Sequence, residues 1–248
     1  MKIDILYSGS SGNTCHIYTQ NTSILIDCGV SLPKLFARGE FPLDAIFITH
    51  EHGDHLGGVG IVARSTNAKV YLEQLSFENK RPSINLDGSD LKYISSGDTI
   101  DLGDFLVEAH KTSHDSNGGI FFIVEDKNTK LRYGHLTDTG IITESMTKAL
   151  QTCDALLLEA NHNVNTLMKH PSYNDWVRER IRGDFGHLSN DQTMEFIRDN
   201  LDFDKLRWIV FGHLSQRTNS PEKVMEAKSK SIPKFRDVFI APINLALE

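Results

Sequence analysis

The chain has 248 residues, 39% of them hydrophobic and 24% charged, and a net charge of −7 at pH 7. That balance suits an ordinary soluble globular protein, long enough for one sizeable domain or two small ones, and no apolar run approaches the ~20 residues that cross a membrane. The acidic excess argues against a large surface coated with nucleic acid, and three scattered cysteines without CxxC spacing (Cys15, Cys28, Cys153) fit a reducing cytoplasm better than a disulfide framework.

The opening Met1-Lys2-Ile3-Asp4-Ile5-Leu6 already reads as strand and lacks the pattern of a cleaved signal. Strands are expected over 3–7, 14–19 and 23–27, with turns at 8–13 and at Asn21-Thr22. A helix follows from a Ser31 cap with Pro33 in its first turn, then a buried strand over 43–48 entered through Pro42. After the segment 49–55 comes a helix over 56–64, then strands over 69–72, 91–94, 105–111, 119–125 and 131–136, the last two joined by a turn at Asp126-Lys127-Asn128-Thr129. From Ile141 helix and strand alternate: helix 141–151, strand 154–159, helices 173–182 and 190–200, strand 207–211, helix 221–230 and strand 237–241. No linker or repeat divides the chain, so a single domain over 1–248 with mixed sheets and outer helices is expected. The densest basic stretch is Arg178, Arg180 and Arg182 with Lys169 upstream; alternating with Glu179, it reads as a solvated helix face.

The segment Thr49-His50-Glu51-His52-Gly53-Asp54-His55 packs three imidazoles and an aspartate into six positions on a strand-to-helix loop. Nitrogen with hard oxygen suits zinc, manganese or iron, and so many ligands in one loop argue for more than one ion. A helical His-Glu-x-x-His protease site is excluded by the residue order and by Gly53. Further candidates recur just beyond apolar strands: His114-Asp115, Asp138 in Thr137-Asp138-Thr139-Gly140, and His213 after Trp208-Ile209-Val210-Phe211-Gly212. His110 is the rival of His114; His16, His135 and His170 read as structural or surface residues.

His50-Glu51-His52-Gly53-Asp54-His55, followed by His114, Asp138 and His213 in that order, resembles the hallmark pattern of metallo-β-lactamase-fold hydrolases. Ser8-Gly9-Ser10-Ser11-Gly12-Asn13, Asp27-Cys28-Gly29, Glu159-Ala160-Asn161-His162, Gly186-His187-Leu188-Ser189-Asn190 and His213-Leu214-Ser215 with Asn219 and Pro221 narrow the resemblance to the YycJ/WalJ-like branch, compact relatives of RNase J and RNase Z. The segment from Asp138 to His213 is too short for the inserted nucleic-acid-clamping domain of RNase J-like enzymes, and Gly134-His135-Leu136 is less apolar than that strand normally is.

The resemblance implies an α+β fold, a four-layer αββα sandwich, with two divalent ions (zinc, manganese or iron). One ion would take His50, His52 and His114, the second Asp54, His55 and His213, with Asp138 bridging; a hydroxide between them would be the nucleophile, oriented by Asp54. It also implies a phosphodiesterase acting on nucleic acid, a DNA exonuclease in this branch. His187 is the candidate to bind phosphate or protonate the leaving oxygen, competing with a role as a helix-entry histidine. Ser10 and Asn13, in a loop that reads equally as a phosphate cradle and as a hairpin turn, and Asn161, His162 and Asn219 are candidate substrate contacts, while Asp27 braces the metal loop. The alternatives are a small-molecule hydrolase of a cyclic or short nucleotide, a thioester or a lactone, and a non-catalytic metal-binding regulator. Oligomeric state is not legible in the sequence.

Overall fold

The computed structural model describes residues 1–39, 42–80, 85–86 and 91–247. They form two compact units, one drawn from residues within 1–111, 116–131 and 242–247, the other from residues 112–115 and 132–241.

In the first unit a seven-stranded sheet runs Ile243–Ala246, Lys2–Tyr7, Thr14–Tyr18, Ser23–Ile26, Ala45–Phe47, Lys69–Leu72, Leu91–Tyr93. Its first four strands pair antiparallel, short turns joining the three that are consecutive in the chain, and the rest pair parallel once helices intervene. Strands Ser23–Ile26 and Ala45–Phe47 are buried along their whole length; a strand covered on both faces reads as a continuous apolar run rather than an alternation. Leu25, Ile46, Val59, Val62 and Val70 join one core cluster. A separate antiparallel set of Thr99–Leu102, Phe105–Lys111 and Ile120–Asp126 belongs to the same unit, and Phe122 meets Phe47 edge-on at 5.4 Å between ring centroids.

The helix expected over 56–64 is broken into Gly53–Leu56 and Val59–Thr66. Gly57-Gly58 lies between them, and a side chain at Gly58 would collide with the Val30 carbonyl. Strand Thr99–Leu102, helix Gln74–Lys80 and strand Ile243–Ala246 were not expected; the last is an edge strand that forms by pairing Ile243, Asn244, Leu245 and Ala246 with residues 2–5.

The second unit is built on four parallel strands, Arg132–Leu136, Ala155–Glu159, Trp208–Gly212 and Val238–Ile240. Parallel pairing needs crossovers, and helices such as Glu144–Leu150, Asn190–Asn200 and Pro221–Ser231 supply them. Asn190–Asn200 starts in a capping box in which Ser189 and Gln192 satisfy each other's backbone amides. The unusual Gly134-His135 is accounted for by packing: a side chain at Gly134 would meet Leu156 at 2.7 Å, and His135 Nδ1 bonds the buried Tyr133 hydroxyl at 3.0 Å.

One buried imidazole of the first unit makes stability depend on pH. His16 bonds Ser23 Oγ at 2.8 Å and stacks on Tyr18 at 4.4 Å; burial pushes its pKa from the ordinary 6.5 down to about 4. Between those values the unfolded chain binds the proton that the folded chain refuses, so stability is complete above pH 6.5 and falls as pH drops toward 4. The loss amounts to about 3 kcal/mol at 1.36 kcal/mol per pKa unit. Urea unfolding of His16→Gln beside the parent at pH 7 and pH 5 is expected to show a smaller acid-induced loss in the variant; equal losses would remove His16 as the cause.

Candidate functional site

The loop 49–55 is held from below by Asp27. Its Oδ1 accepts the Thr49 amide at 2.9 Å and its Oδ2 accepts His55 Nδ1 at 2.7 Å, which leaves His55 Nε2 as the nitrogen on the outer side of the ring. That nitrogen lies 3.6 Å from Asp54 Oδ2 and 3.0 Å from Asn13 Nδ2. His50 directs Nδ1 to Thr49 Oγ1 at 3.0 Å and Nε2 to within 3.0 Å of His52 Nδ1. The His50 and His55 rings lie 4.1 Å apart. The structure thus brings His50, His52, Asp54 and His55 together, with Asn13 beside them.

The turn before Asn13 is a brace for this loop. Asn13 takes the Gly9 amide on Oδ1 at 2.8 Å and gives its own amide to the Asp54 carbonyl at 2.7 Å. The chain at Gly29 comes so close to the Asp54 carbonyl that any side chain there would collide with it. Ser10 is exposed at the tip of the turn. Glu51, between two candidate ligands, turns the other way: buried, it accepts Asn117 N at 2.8 Å, Asn117 Nδ2 at 2.6 Å and Ser76 Oγ at 3.0 Å. Burial opposes its charge, but these donors prevail and hold its pKa below the ordinary value.

In the second unit a buried carboxylate organises the chemistry. Glu159, at the end of strand Ala155–Glu159, accepts His187 Nδ1 at 2.7 Å and His213 Nδ1 at 2.9 Å on the same Oε1. Its Oε2 takes the Thr139 amide at 3.1 Å. Burial disfavours the Glu159 anion, yet His187 and the hydrogen bonds outweigh it and keep the carboxyl ionised, with its pKa well below the usual range. The converse holds for His187: burial works against its charge, and the attraction of Glu159 raises its pKa above the ordinary histidine value. Asp138 Oδ1 stands among three rings, 3.5 Å from His213 Nδ1, 3.6 Å from His187 Nδ1 and 3.7 Å from His114 Nε2. The other His114 nitrogen, Nδ1, bonds the Gly186 carbonyl at 3.1 Å.

Asn161 donates to the His213 carbonyl at 3.0 Å. Asn219 spans the carbonyls of Ala160 and Asn161 at 2.7 and 3.1 Å, which fixes the loop behind the cluster. His162 is fully buried beside Ser189, both its ring nitrogens lack hydrogen-bond partners, and burial pushes its pKa to about 4. Positive φ on residues other than glycine occurs among the described residues at Asp27 (61°), Asn67 (58°), Lys130 (64°), Asp138 (56°) and His213 (53°). Three of these five belong to the clusters above, as expected where backbone strain is retained to aim functional groups.

The donor sets fit divalent metal ions. Two nitrogens bound at ~2.1 Å to one tetrahedral ion stand ~3.4 Å apart, close to the His50–His52 spacing of 3.0 Å. In His55 and His213 a carboxylate holds Nδ1, and in His114 a carbonyl does. Metal-ligating histidines are oriented in this way, with the opposite nitrogen left to bind. In the second unit Asp138, Glu159, His187 and His213 each offer a ligand atom, all within 4.8 Å of one another. The role of Glu159 was missed from sequence, although a carboxylate ending an apolar strand was a usable signal, since such a group is buried only when partnered.

Comparison with known proteins agrees with this chemistry. Residues 22–201 match the model of the β-lactamase superfamily domain. The chain is 35% identical over 232 residues to the exodeoxyribonuclease WalJ of Streptococcus pneumoniae serotype 2, covering 89% of this chain and 84% of that protein. To the exodeoxyribonuclease YycJ of Bacillus anthracis it is 31% identical over 229 residues, covering 90% and 85%. The crystal structure of the metallo-β-lactamase-fold protein YhfI from Bacillus subtilis superimposes with a TM-score of 0.76 at 16% identity, covering 99% of each chain. This chain therefore belongs to the β-lactamase superfamily, in the branch that holds the WalJ and YycJ proteins, and has the α+β metallo-β-lactamase fold.

Proposed function

We propose that the chain is a divalent-metal-dependent phosphodiesterase that shortens DNA from its ends. The observation that carries this reading is the Glu159 carboxylate held at 2.7 Å from His187 and 2.9 Å from His213, because it couples a proton-bearing imidazole to a candidate metal ligand. Similarity to two exodeoxyribonucleases over most of the chain supports DNA as the substrate.

The metal set is proposed as His50, His52 and His114 for one ion and Asp54, His55 and His213 for another, with Asp138 shared, the ions being zinc, manganese or iron. Such ions supply Lewis acidity toward a phosphoryl oxygen and lower the pKa of water near neutrality. The remaining work falls to the chain. Glu159 favours the charged form of His187 and orients the ring through Nδ1, leaving Nε2 as the candidate to give a proton to a departing oxygen. Asp27, Asn13 and Glu51 hold the loop 49–55 in one conformation, so no reorganisation is needed during reaction. Asn161 and Asn219 keep the His213 loop in place. The family match draws on residues of both units, which supports reading 1–248 as a single metallo-β-lactamase-like domain. Among the described residues no helix is long and apolar enough to cross a membrane, and three buried cysteines without a disulfide suit the cytoplasm.

End-labelled single- and double-stranded DNA, the matching RNAs and cyclic nucleotides, each offered with manganese or zinc, test the substrate. Stepwise shortening of DNA is expected. Turnover confined to cyclic nucleotides, thioesters or lactones would instead assign the site to small molecules.

A further inference from the structure

Helix Asp175–Arg182 buries none of its residues, although His187 follows only five residues after it. Trp176 is 71% exposed and Phe185 64%, the two most exposed large hydrophobic side chains among the described residues. A lone exposed leucine needs no explanation, but two aromatic rings within one short segment do.

Their placement connects them to the cluster around His187. The Phe185 carbonyl accepts the Asp115 amide at 2.9 Å, one residue past His114, and the neighbouring Gly186 carbonyl holds the His114 ring. Arg180 Nε donates to Asp115 Oδ2 at 2.7 Å, so Arg180 and Phe185 are anchored on the same residue. Trp176 precedes Arg180 by four positions, one helical turn, and shares its face. Arg180 remains 53% exposed despite its ion pair. The segment 175–182 carries three arginines against Asp175 and Glu179, a net charge of +1 in a chain whose total is −7. An aromatic, a guanidinium and a second aromatic thus follow one another up to the candidate catalytic histidine.

We propose that Trp176, Arg180 and Phe185 form a seat for the unpaired bases of single-stranded DNA, the rings stacking on base faces and the guanidinium meeting an intervening phosphate. This rests on the nuclease reading and adds to it the strand form and the place where bases are held. Stacking tolerates any sequence, because every base has a π-face, and suits an enzyme that must accept each new end it creates.

The chain has only two tryptophans, and Trp208 is buried, so the solvent-exposed part of the tryptophan emission reports on Trp176. Titrating the metal-loaded protein with phosphorothioate oligothymidylate is expected to quench the exposed-tryptophan emission, a signal lost in Trp176→Phe while most of the affinity is kept. In Trp176→Ala and in Phe185→Ala, affinity is expected to fall about tenfold each. The ratio of kcat/KM on single-stranded DNA to kcat/KM on bis(p-nitrophenyl) phosphate is expected to fall by the same factor. Alanine variants that keep the parent's oligonucleotide affinity and substrate ratio would overturn the proposal. So would variants whose sedimentation changes while DNA affinity does not, since the patch would then seat a second copy of the chain. If the parent hydrolyses bis(p-nitrophenyl) phosphate but neither binds nor cleaves DNA, the nuclease reading itself fails.

Discussion

Glu159→Gln is expected to lower kcat on DNA by about a hundred- to ten-thousandfold, the range for losing a positioned proton donor, with little change in KM. Glutamine fits the same space but carries no charge. Oε1 of Glu159 serves His187 and His213 together while Oε2 takes the Thr139 amide, so the substitution removes the anion that raises the His187 pKa and leaves one accepting oxygen where the carboxylate uses two. Two effects follow, and they are separable. His187→Ala should reproduce the kcat loss with metal content unchanged. Glu159→Gln should in addition weaken metal affinity by about ten- to hundredfold, as loss of a ligand's hydrogen-bond partner does elsewhere. Steady-state kinetics and elemental analysis of both variants decide this. If Glu159→Gln keeps the parent's kcat, the carboxylate is only a structural anchor for the Thr139 amide.

The second large effect is expected at Asp138. Asparagine is the informative replacement because Asp138 sits at φ 56°, a left-handed conformation that asparagine tolerates far better than alanine. The variant therefore keeps the backbone and loses only the charge that lies among the His114, His187 and His213 rings. Turnover is expected to drop at least several hundredfold, corresponding to several kcal/mol of charge stabilisation at 1.36 kcal/mol per tenfold, and bound metal should fall with it. The metal-free thermal unfolding midpoint should stay close to the parent's. Full activity with full metal content in Asp138→Asn would remove Asp138 from the centre.

The loop 49–55 was legible as a candidate site because its chemistry is contiguous: three histidines and an aspartate fall within six positions, and no distant contact is needed to see them as candidate ligands. Asp138 and His213 were legible through a weaker rule, polar residues placed just after apolar strands. Glu159 follows the same rule, but its meaning depends on partners 28 and 54 residues away, which spacing alone does not pair. The bracing by Asn13 and Asn219 was hidden for a similar reason. An amide in a turn advertises polarity, and only the fold shows it turned onto the Asp54 backbone or onto the Ala160 and Asn161 carbonyls. Long strands such as Phe105–Lys111 and Ile120–Asp126 declared themselves by their apolar content. Ile243–Ala246, four residues at a sheet edge, is fixed by its pairing with the first strand rather than by its own sequence. The basic helix face was legible as solvated. That Trp176 shares its exposure with Phe185, and that Arg180 is tied to Asp115, is decided by the fold and not by the local sequence.

The central claim, that the chain is a metal-dependent nuclease, is tested most directly by adding metal back to protein stripped with a chelator. Manganese or zinc would be titrated in defined equivalents while bound metal per chain and release of nucleotides from end-labelled DNA are followed together. No cleavage is expected without metal, and cleavage is expected to rise with bound metal to a plateau at two ions per chain. Undiminished DNA cleavage by the stripped protein, with no metal bound, would contradict it.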